Sequence, residues 1–244
     1  MPERMKKKGT WRSVVGLIVV LLVVPLTVVL ASLFQKRYYL VVSIGIVLAS
    51  MLPFFASFER RRPQARELVT LAVMIALAVA SRALFAFLPQ FKPMAGIIMI
   101  TGIAFGASSG FLTGALSAFV SNFMFGQGPW TPWQMLAFGL CGYVFGFLAD
   151  RGIIPRSDWT LKARVLIGVG GYLFIQLIVG PILDTSSLFW MVGTITPETV
   201  LAVYGAGAPF NALHGVSTAI TLILVGEPIL QKLARLKRKY GMME

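Results

Sequence analysis

The sequence predicts an all-α, polytopic membrane helical bundle, and three observations carry that prediction. Hydrophobic residues make up 57% of the 244 residues and charged residues only 13%, and the mean hydropathy is +0.81. This composition is too apolar for a soluble domain. Apolar runs of about 20 residues recur along the chain, which is the length that crosses a bilayer as a helix. Lysine and arginine are concentrated in alternate loops, as the positive-inside rule describes.

Two spans are predicted before the rest of the bundle. The run 14–34 follows a basic segment and exceeds the roughly 7–15 apolar residues of a signal peptide, so we expect it to be retained. A second span covers residues 38–58. The dense basic linker 59–66 then marks the clearest change of composition. We therefore expect residues 1–64 to form an N-terminal transmembrane hairpin with basic cytoplasmic flanks.

A third span, residues 67–88, leads into the proline-bracketed loop 89–93. The following 94–124 stretch is apolar, but glycine and serine cluster in its middle. Such clusters favour a turn. We therefore expect two short helices, 94–107 and 110–124, with the turn at Ser108 and Ser109.

The carboxyl-terminal half alternates between apolar runs and polar loops. Three spans and two loops are expected there: spans 133–149, 165–183 and 199–225, and loops 150–164 and 184–198. The tail 227–244 spaces its apolar residues as a basic amphipathic helix does, so we expect it at the cytoplasmic membrane surface. Most of the 22 basic residues fall on one side of these eight spans, which predicts that both termini are cytoplasmic.

Residues 125–134, Phe-Gly-Gln-Gly-Pro-Trp-Thr-Pro-Trp-Gln, separate two long apolar runs. Trp130 and Trp133 offer large aromatic faces, and Gln127 and Gln134 offer uncharged amides. Two interpretations remain open at this point. The segment is either an interfacial turn with an aromatic belt or the mouth of a binding cavity.

Two series of small residues predict close helix packing. Ala72, Ala76 and Ala80 form a smooth stripe, which fits either an internal contact or a docking face for another membrane protein. A second series, at four- to six-residue spacing, favours tight packing rather than a phosphate cradle; it comprises Gly96, Gly102, Gly106, Gly110 and Gly114.

Few residues could carry chemistry inside the membrane. Arg82 is a functional candidate or a snorkelling side chain, with Asp184 and Glu198 as possible partners. Asn211 and the only histidine, His214, share a helix face, and His214 is either a ligand contact or a packing residue.

Several functions are excluded or disfavoured by the sequence. A single cysteine, Cys141, rules out an intrachain disulfide and a multi-cysteine metal site. No G-x-x-x-x-G-K-[ST] motif is present, so the chain holds no P-loop for ATP hydrolysis. The net charge of +13 follows from the basic loops, which orient the chain in the membrane, and does not indicate nucleic acid.

The pattern from residue 65 to residue 149 resembles the substrate-binding S component of energy-coupling factor (ECF) vitamin transporters. The resemblance rests on the alanine stripe, the glycine-rich helical pair, the 125–134 segment, and Arg82-Ala-Leu-Phe-Ala-Phe-Leu-Pro89 leading to Phe91-Lys-Pro93. It implies a six-helix core over residues 65–226, to which two N-terminal transmembrane helices are added. The 126–134 stretch is most similar to the cobalamin-type subgroup.

The resemblance implies a cell-membrane subunit, not an enzyme, that captures a vitamin from outside and uses no cofactor or metal of its own. Its partners would be an ECF transmembrane coupling protein, docked on the alanine stripe, and two ATPase subunits that hydrolyse ATP. We expect the substrate to contact the following residues: Arg82, Phe91, Lys92, Gln127, Trp130, Trp133, Gln134, Asn211 and His214.

Two other functions compete with this interpretation. A stand-alone secondary transporter or channel is one alternative, although no ion relay is evident. An intramembrane serine protease is the other, with Ser108 or Ser109 paired to His214. Neither serine stands in a complete G-x-S-G pattern.

Overall fold

The computed structural model describes residues 39–61, 63–192 and 194–241. This part of the chain is helical and contains no strand, which confirms the all-α prediction. A π-helical turn, Ile175–Val179, joins the sixth helix to the seventh. The helices are α1 Tyr39–Arg60, α2 Ala65–Leu84, α3 Met94–Phe105, α4 Ala107–Phe125, α5 Thr131–Asp150, α6 Leu161–Phe174, α7 Gly180–Met191 and α8 Pro197–Tyr240.

Five helical segments are long and apolar enough to cross a membrane: α1, α2, α5, the continuous α6–α7 unit and α8. The apolar helix α3 is shorter, at 12 residues, and every one of its residues is buried. The chain is therefore a polytopic membrane protein. The predicted first span, 14–34, lies outside the described residues.

The break between α3 and α4 falls at Gly106, so the expected turn at Ser108 and Ser109 is wrong. Gly106 has φ +90°, a conformation that glycine adopts readily and serine does not. Ser108 and Ser109 are instead in the first turn of α4, where the Ser109 hydroxyl donates to Glu67 Oε1 at 3.1 Å. The chain reverses direction through one residue.

Glycines let α3, α4 and α5 approach one another at their backbones. A Cβ on Gly102 would overlap the Gly142 carbonyl, and a Cβ on Gly142 would overlap the carbonyl of Gly110. The tight packing expected of the glycine series is confirmed at these contacts.

Helix α1 packs against the core rather than standing apart from it. The ring of Phe54 stacks on Phe111 of α4 at 4.2 Å and meets Tyr143 of α5 edge-on at 4.8 Å. Arg61, just beyond α1, donates to the Phe105 carbonyl at 3.0 Å and pairs with Glu67. The basic linker thus fastens α1 to α2 and α3.

Helix α7 extends through Met191, so most of the loop expected over 184–198 is helical. The hydroxyl groups there form hydrogen bonds within the helix. Thr185 Oγ1 donates to the Pro181 carbonyl at 2.7 Å, and Ser187 Oγ donates to the Leu183 carbonyl at 3.2 Å. Their polarity therefore does not require a loop.

Helix α8 runs unbroken for 44 residues, through Pro209 and Pro228, to Tyr240. The expected separation between a span ending at 225 and a tail beginning at 227 is therefore not a break in the backbone. Of the three residues expected on the apolar face of the tail, Leu233 is buried and Ile229 is half-buried, whereas Leu236 is 38% exposed. Leu230, which was not expected on that face, is buried.

Apart from the continuous α6–α7 unit, consecutive helices of the bundle run antiparallel, so the connections between them gather at two ends, and these ends differ in chemistry. The aromatic end carries the connections 85–93, 126–130 and 192–196, and there the Trp130 and Trp190 rings lie 5.1 Å apart. The basic end carries the connections 61–64 and 151–160 and the end of α8. At that end Arg66 donates to the Tyr240 carbonyl at 3.0 Å.

Candidate functional site

Arg82, near the end of α2, is buried but has uncharged partners. Its Nη1 donates to Ser121 Oγ at 2.5 Å and to Asn122 Oδ1 at 3.0 Å, and its guanidinium lies 4.5 Å from the centroid of the Phe125 ring. The suggested pairing with Asp184 or Glu198 is wrong. The positive charge of Arg82 is therefore desolvated without being neutralised by a carboxylate of the described residues.

Asn122 connects Arg82 to the start of α5. Its Nδ2 donates to Thr131 Oγ1 at 3.0 Å and to Gln134 Oε1 at 2.8 Å. The Thr131 hydroxyl in turn donates to Gln127 Oε1 at 2.9 Å. We call this set, Arg82, Ser121, Asn122, Gln127, Thr131 and Gln134, the Arg82 network. It joins three helices through hydrogen bonds between neutral groups and one cation.

Sequence reasoning found Arg82, Gln127 and Gln134 but missed Ser121, Asn122 and Thr131. Asn122 offered a usable signal, because an amide within a long apolar run must find a partner inside the bundle. Ser121 and Thr131 gave little signal, since a hydroxyl can also bond to its own helix backbone.

The two tryptophans of the 125–134 segment have different environments. Trp133 is 1% exposed, and its ring lies 5.7 Å from that of Phe189 on α7. Trp130 is half-buried beside Trp190, and its Nε1 donates to the Gly126 carbonyl at 3.3 Å. Trp133 therefore belongs to the packed interior, while Trp130 is at the surface of the aromatic end.

The α2–α3 connection holds Phe91 and Lys92 close to the same end. Lys92 Nζ donates to Gln90 Oε1 at 2.7 Å, and the Phe91 ring lies 5.3 Å from that of Phe85. Lys92 lies outside the membrane-spanning helices. Its burial, followed by the nearby positive charge of Arg82, lowers its pKa to about 8. The connection thus brings a second cation within electrostatic reach of Arg82.

Asn211 and His214 have partners of their own. Asn211 Nδ2 donates to Asp184 Oδ2 at 2.8 Å, which fixes α8 to α7. His214 is 4% exposed, with its ring 5.8 Å from that of Phe138. Among the described residues, no hydrogen bond connects either one to the Arg82 network.

Four buried polar atoms have no hydrogen-bond partner among the described residues: Ser117 Oγ, Gln176 Oε1, His214 Nε2 and Ser217 Oγ. Buried polar groups are normally paired, because an unpaired one costs roughly 1–3 kcal/mol. The interior therefore retains hydrogen-bonding capacity that the described side chains do not use.

The alanine stripe lies on the outside of α2. Ala72, Ala76 and Ala80 are all exposed, and Val69 and Val73 beside them are exposed as well. No described helix covers the stripe, and the predicted first span, 14–34, lies outside the described residues, so both interpretations of the stripe stay predictions. Because alanine side chains are short, the stripe is a shallow surface onto which a second protein can fit closely.

The site offers binding groups rather than a catalytic pair. Within the described ranges, no group of three histidine, cysteine, aspartate or glutamate residues could hold a metal ion. Ser109 is bonded to Glu67 near the basic end, and His214 packs on Phe138 in α5. One buried guanidinium, several amides and aromatic rings suit a planar or polar organic molecule.

Comparison with known proteins identifies the family to which this chain belongs. Residues 63–235 match the family described as ECF-type riboflavin transporter, S component. No curated protein and no solved structure matches the chain. The match includes α2–α7, most of α8 and the whole Arg82 network. It bears out the ECF resemblance but does not confirm the cobalamin-type subgroup. The chain therefore belongs to the family of ECF-type riboflavin transporter S components, membrane-embedded substrate-binding subunits of ECF importers that are not enzymes.

Proposed function

We propose that this S component binds riboflavin, or a closely related flavin, at the aromatic end of the bundle. The bound flavin then passes inward through the ECF coupling protein, driven by the partner ATPases. The family description favours riboflavin over the cobalamin suggested by the 126–134 stretch. The basic end faces the cytoplasm in this proposal, together with both termini, because the positive-inside rule orients the chain that way.

The Arg82 network is the observation that carries the proposal. A flavin ring system is planar and uncharged, with carbonyl oxygens and one imide N–H along an edge. Arg82 and the amides of Asn122 and Gln134 supply donors and acceptors that match such an edge. The Phe125 ring, beside the Arg82 guanidinium, suits a flat face of the flavin. Trp133, which packs on Phe189 in the interior, is proposed as a second aromatic contact.

The same groups bond one another in this structure, so ligand binding exchanges internal hydrogen bonds for bonds to the flavin. Gln127 and Thr131 lie at or beside the short 126–130 connection, and Lys92 lies in the 85–93 connection. Movement of these two connections would open the network to the outside. Asn211 and His214, on α8, are proposed as deeper contacts because His214 Nε2 is unpaired among the described side chains.

Titration calorimetry of the purified full-length chain with riboflavin, and separately with cobalamin, tests this proposal. We expect one riboflavin per chain and no heat with cobalamin. Asn122→Leu should weaken riboflavin binding by about 1–3 kcal/mol, since Arg82 and Gln134 each lose their bond to the amide. Phe123→Leu is the control, because Phe123 lies on the same helix and is 69% exposed.

Cobalamin binding without riboflavin binding would overturn the choice of ligand. If the Asn122→Leu protein keeps both its melting temperature and its riboflavin affinity, the Arg82 network does not form the riboflavin site.

A further inference from the structure

A cavity of about 620 Å³ opens at the basic end, opposite the proposed riboflavin site. Its walls are the last part of α8, the connection between α5 and α6, and Ala104 near the end of α3. The charged and polar lining is made by Arg156, Ser157, Asp158, Gln231, Arg235, Lys237 and Arg238. A volume of this size accommodates a small ligand or a lipid headgroup and is too small for a folded partner.

The lining is strongly cationic, and two of its cations are available. Arg156 pairs with Asp150, and Lys237 donates to the Ala104 carbonyl above the Phe105 ring. Arg235 and Arg238 are exposed and pair with no carboxylate of the described residues. A guanidinium presents N–H donors in a planar fork that fits two oxygens of a phosphate group.

The wall formed by the α5–α6 connection is held rigidly against α8. Glu227 is 2% exposed and accepts hydrogen bonds from the backbone N–H groups of Asp158 and Trp159, both at 2.9 Å. The Trp159 ring is buried, and its Nε1 donates to the Pro155 carbonyl at 2.6 Å. A preformed wall lowers the entropic cost of binding, because little has to be ordered when the ligand arrives.

The ends of the helices beside the cavity indicate that it lies near the boundary between the bilayer core and water. Helix α3 ends at Phe105, just beside the cavity, whereas α8 continues for about 18 Å beyond Pro228. The α5–α6 connection and the start of α6 carry two strongly exposed apolar side chains, Ile153 at 67% and Leu161 at 72%. Exposed apolar groups on the element that forms one wall, together with guanidinium groups in the cavity, suit an amphiphile.

We propose that this cavity binds a phosphate-bearing anion through Arg235 and Arg238. The exposed apolar side chains favour the headgroup of an anionic phospholipid over a soluble phosphate. A bound headgroup would anchor the end of α8 and the α5–α6 connection at the membrane surface. This site is separate from the proposed riboflavin site, and neither depends on the other.

Native mass spectrometry of the full-length chain, titrated with phosphatidylglycerol or with phosphatidylcholine, tests the proposal. We expect one phosphatidylglycerol to bind at least tenfold more tightly than phosphatidylcholine. The double variant Arg235→Gln/Arg238→Gln should lose that preference. The control Lys232→Gln/Lys239→Gln removes the same charge from the same helix, outside the cavity lining, and should keep it. Melting temperatures check that both variants are folded.

A second arm separates the two sources of phosphate. Inorganic phosphate is compared with chloride at equal ionic strength, by the melting temperature of each variant. Stabilisation by phosphate that needs Arg235 and Arg238, without phosphatidylglycerol preference, would assign the cavity to a soluble phosphate. If both double variants lost the lipid preference equally, the preference would come from the general positive charge of the helix and not from the cavity, and the proposal would be overturned. Absence of binding in both arms would overturn it as well.

Discussion

At the scale of single residues, the proposed riboflavin site depends on a buried cation whose partners are neutral. Arg82 is only 9% exposed, and Ser121 and Asn122 accept its hydrogen bonds. A buried charge without a carboxylate partner interacts strongly with any acceptor brought near it, because the surroundings screen it weakly. A flavin carbonyl can therefore gain more from Arg82 than from an arginine at the water surface.

Lys92 should make riboflavin binding depend on pH. Its pKa in the free protein is lowered to about 8, by burial and then by the charge of Arg82. If the protonated amine donates to the flavin, binding raises the pKa of Lys92, and affinity is lost as pH rises above the value in the free protein. We expect about a tenfold weaker riboflavin affinity at pH 9 than at the plateau below pH 7.

Fluorescence quenching of riboflavin, followed from pH 6 to pH 9, measures this effect. Lys92→Met is the matched variant, since it keeps an unbranched side chain of similar length and removes the titrating group. Its profile should be flat over the same range. A wild-type profile that is also flat would exclude contact between the Lys92 amine and the ligand.

The residues of the proposed site were only partly predictable from the sequence. Arg82 and Trp133 stand out by type, as a charge and a large ring within apolar surroundings. The partners of Arg82 depend on how α2 and α4 are rotated against each other, some 40 residues apart in sequence. No local sequence pattern determines how α2 and α4 are rotated against each other. His214 was identified as unusual, and its contact with Phe138 could not be anticipated for the same reason.

At the scale of helices, the order of the elements from residue 39 onward followed from apolar runs, but several boundaries did not, and the single span expected over 165–183 is divided into α6 and α7 by a π-helical turn. The turn was expected at Ser108 and Ser109, whereas the break uses Gly106, where a positive φ is required. Helices α7 and α8 both run further than their apolar segments. In α7 the polar side chains bond within the bundle, and in α8 buried Leu230 and Leu233 continue the packed face.

The outer face of α2 gives a prediction at this scale. Ala76→Trp would raise a bulky ring from the middle of the exposed alanine stripe, so the proposed docking of the coupling protein should fail. Riboflavin affinity should not change, because the stripe faces away from the bundle. Copurification of the coupling protein and both ATPases with a tagged chain, together with calorimetry, measures the two effects.

Ala206→Trp provides the control, since Ala206 is an exposed alanine on α8. That variant should retain both copurification and riboflavin binding. If Ala76→Trp copurified as well as the wild-type chain, the stripe would have to be dropped as the coupling surface.

At the scale of the whole molecule, the two ends divide the proposed tasks. The aromatic end collects amides, rings and two cations around a proposed riboflavin site, and the basic end gathers arginines around a cavity at the membrane boundary. Between them, glycine contacts hold α3, α4 and α5 at short distances. Helices packed this closely cannot shift easily against one another. We therefore expect motion in the connections at the two ends, and movement of the bundle as a rigid body.

The central claim is that the chain is a passive binding subunit, and the energy source of uptake tests it most directly. Riboflavin uptake is measured in proteoliposomes that contain the chain alone, or the chain with its coupling protein and ATPases, each with and without ATP. The account predicts uptake only in the complete assembly with ATP. Riboflavin accumulation by the chain alone, driven by an ion gradient, would contradict it and assign the chain to the secondary transporters.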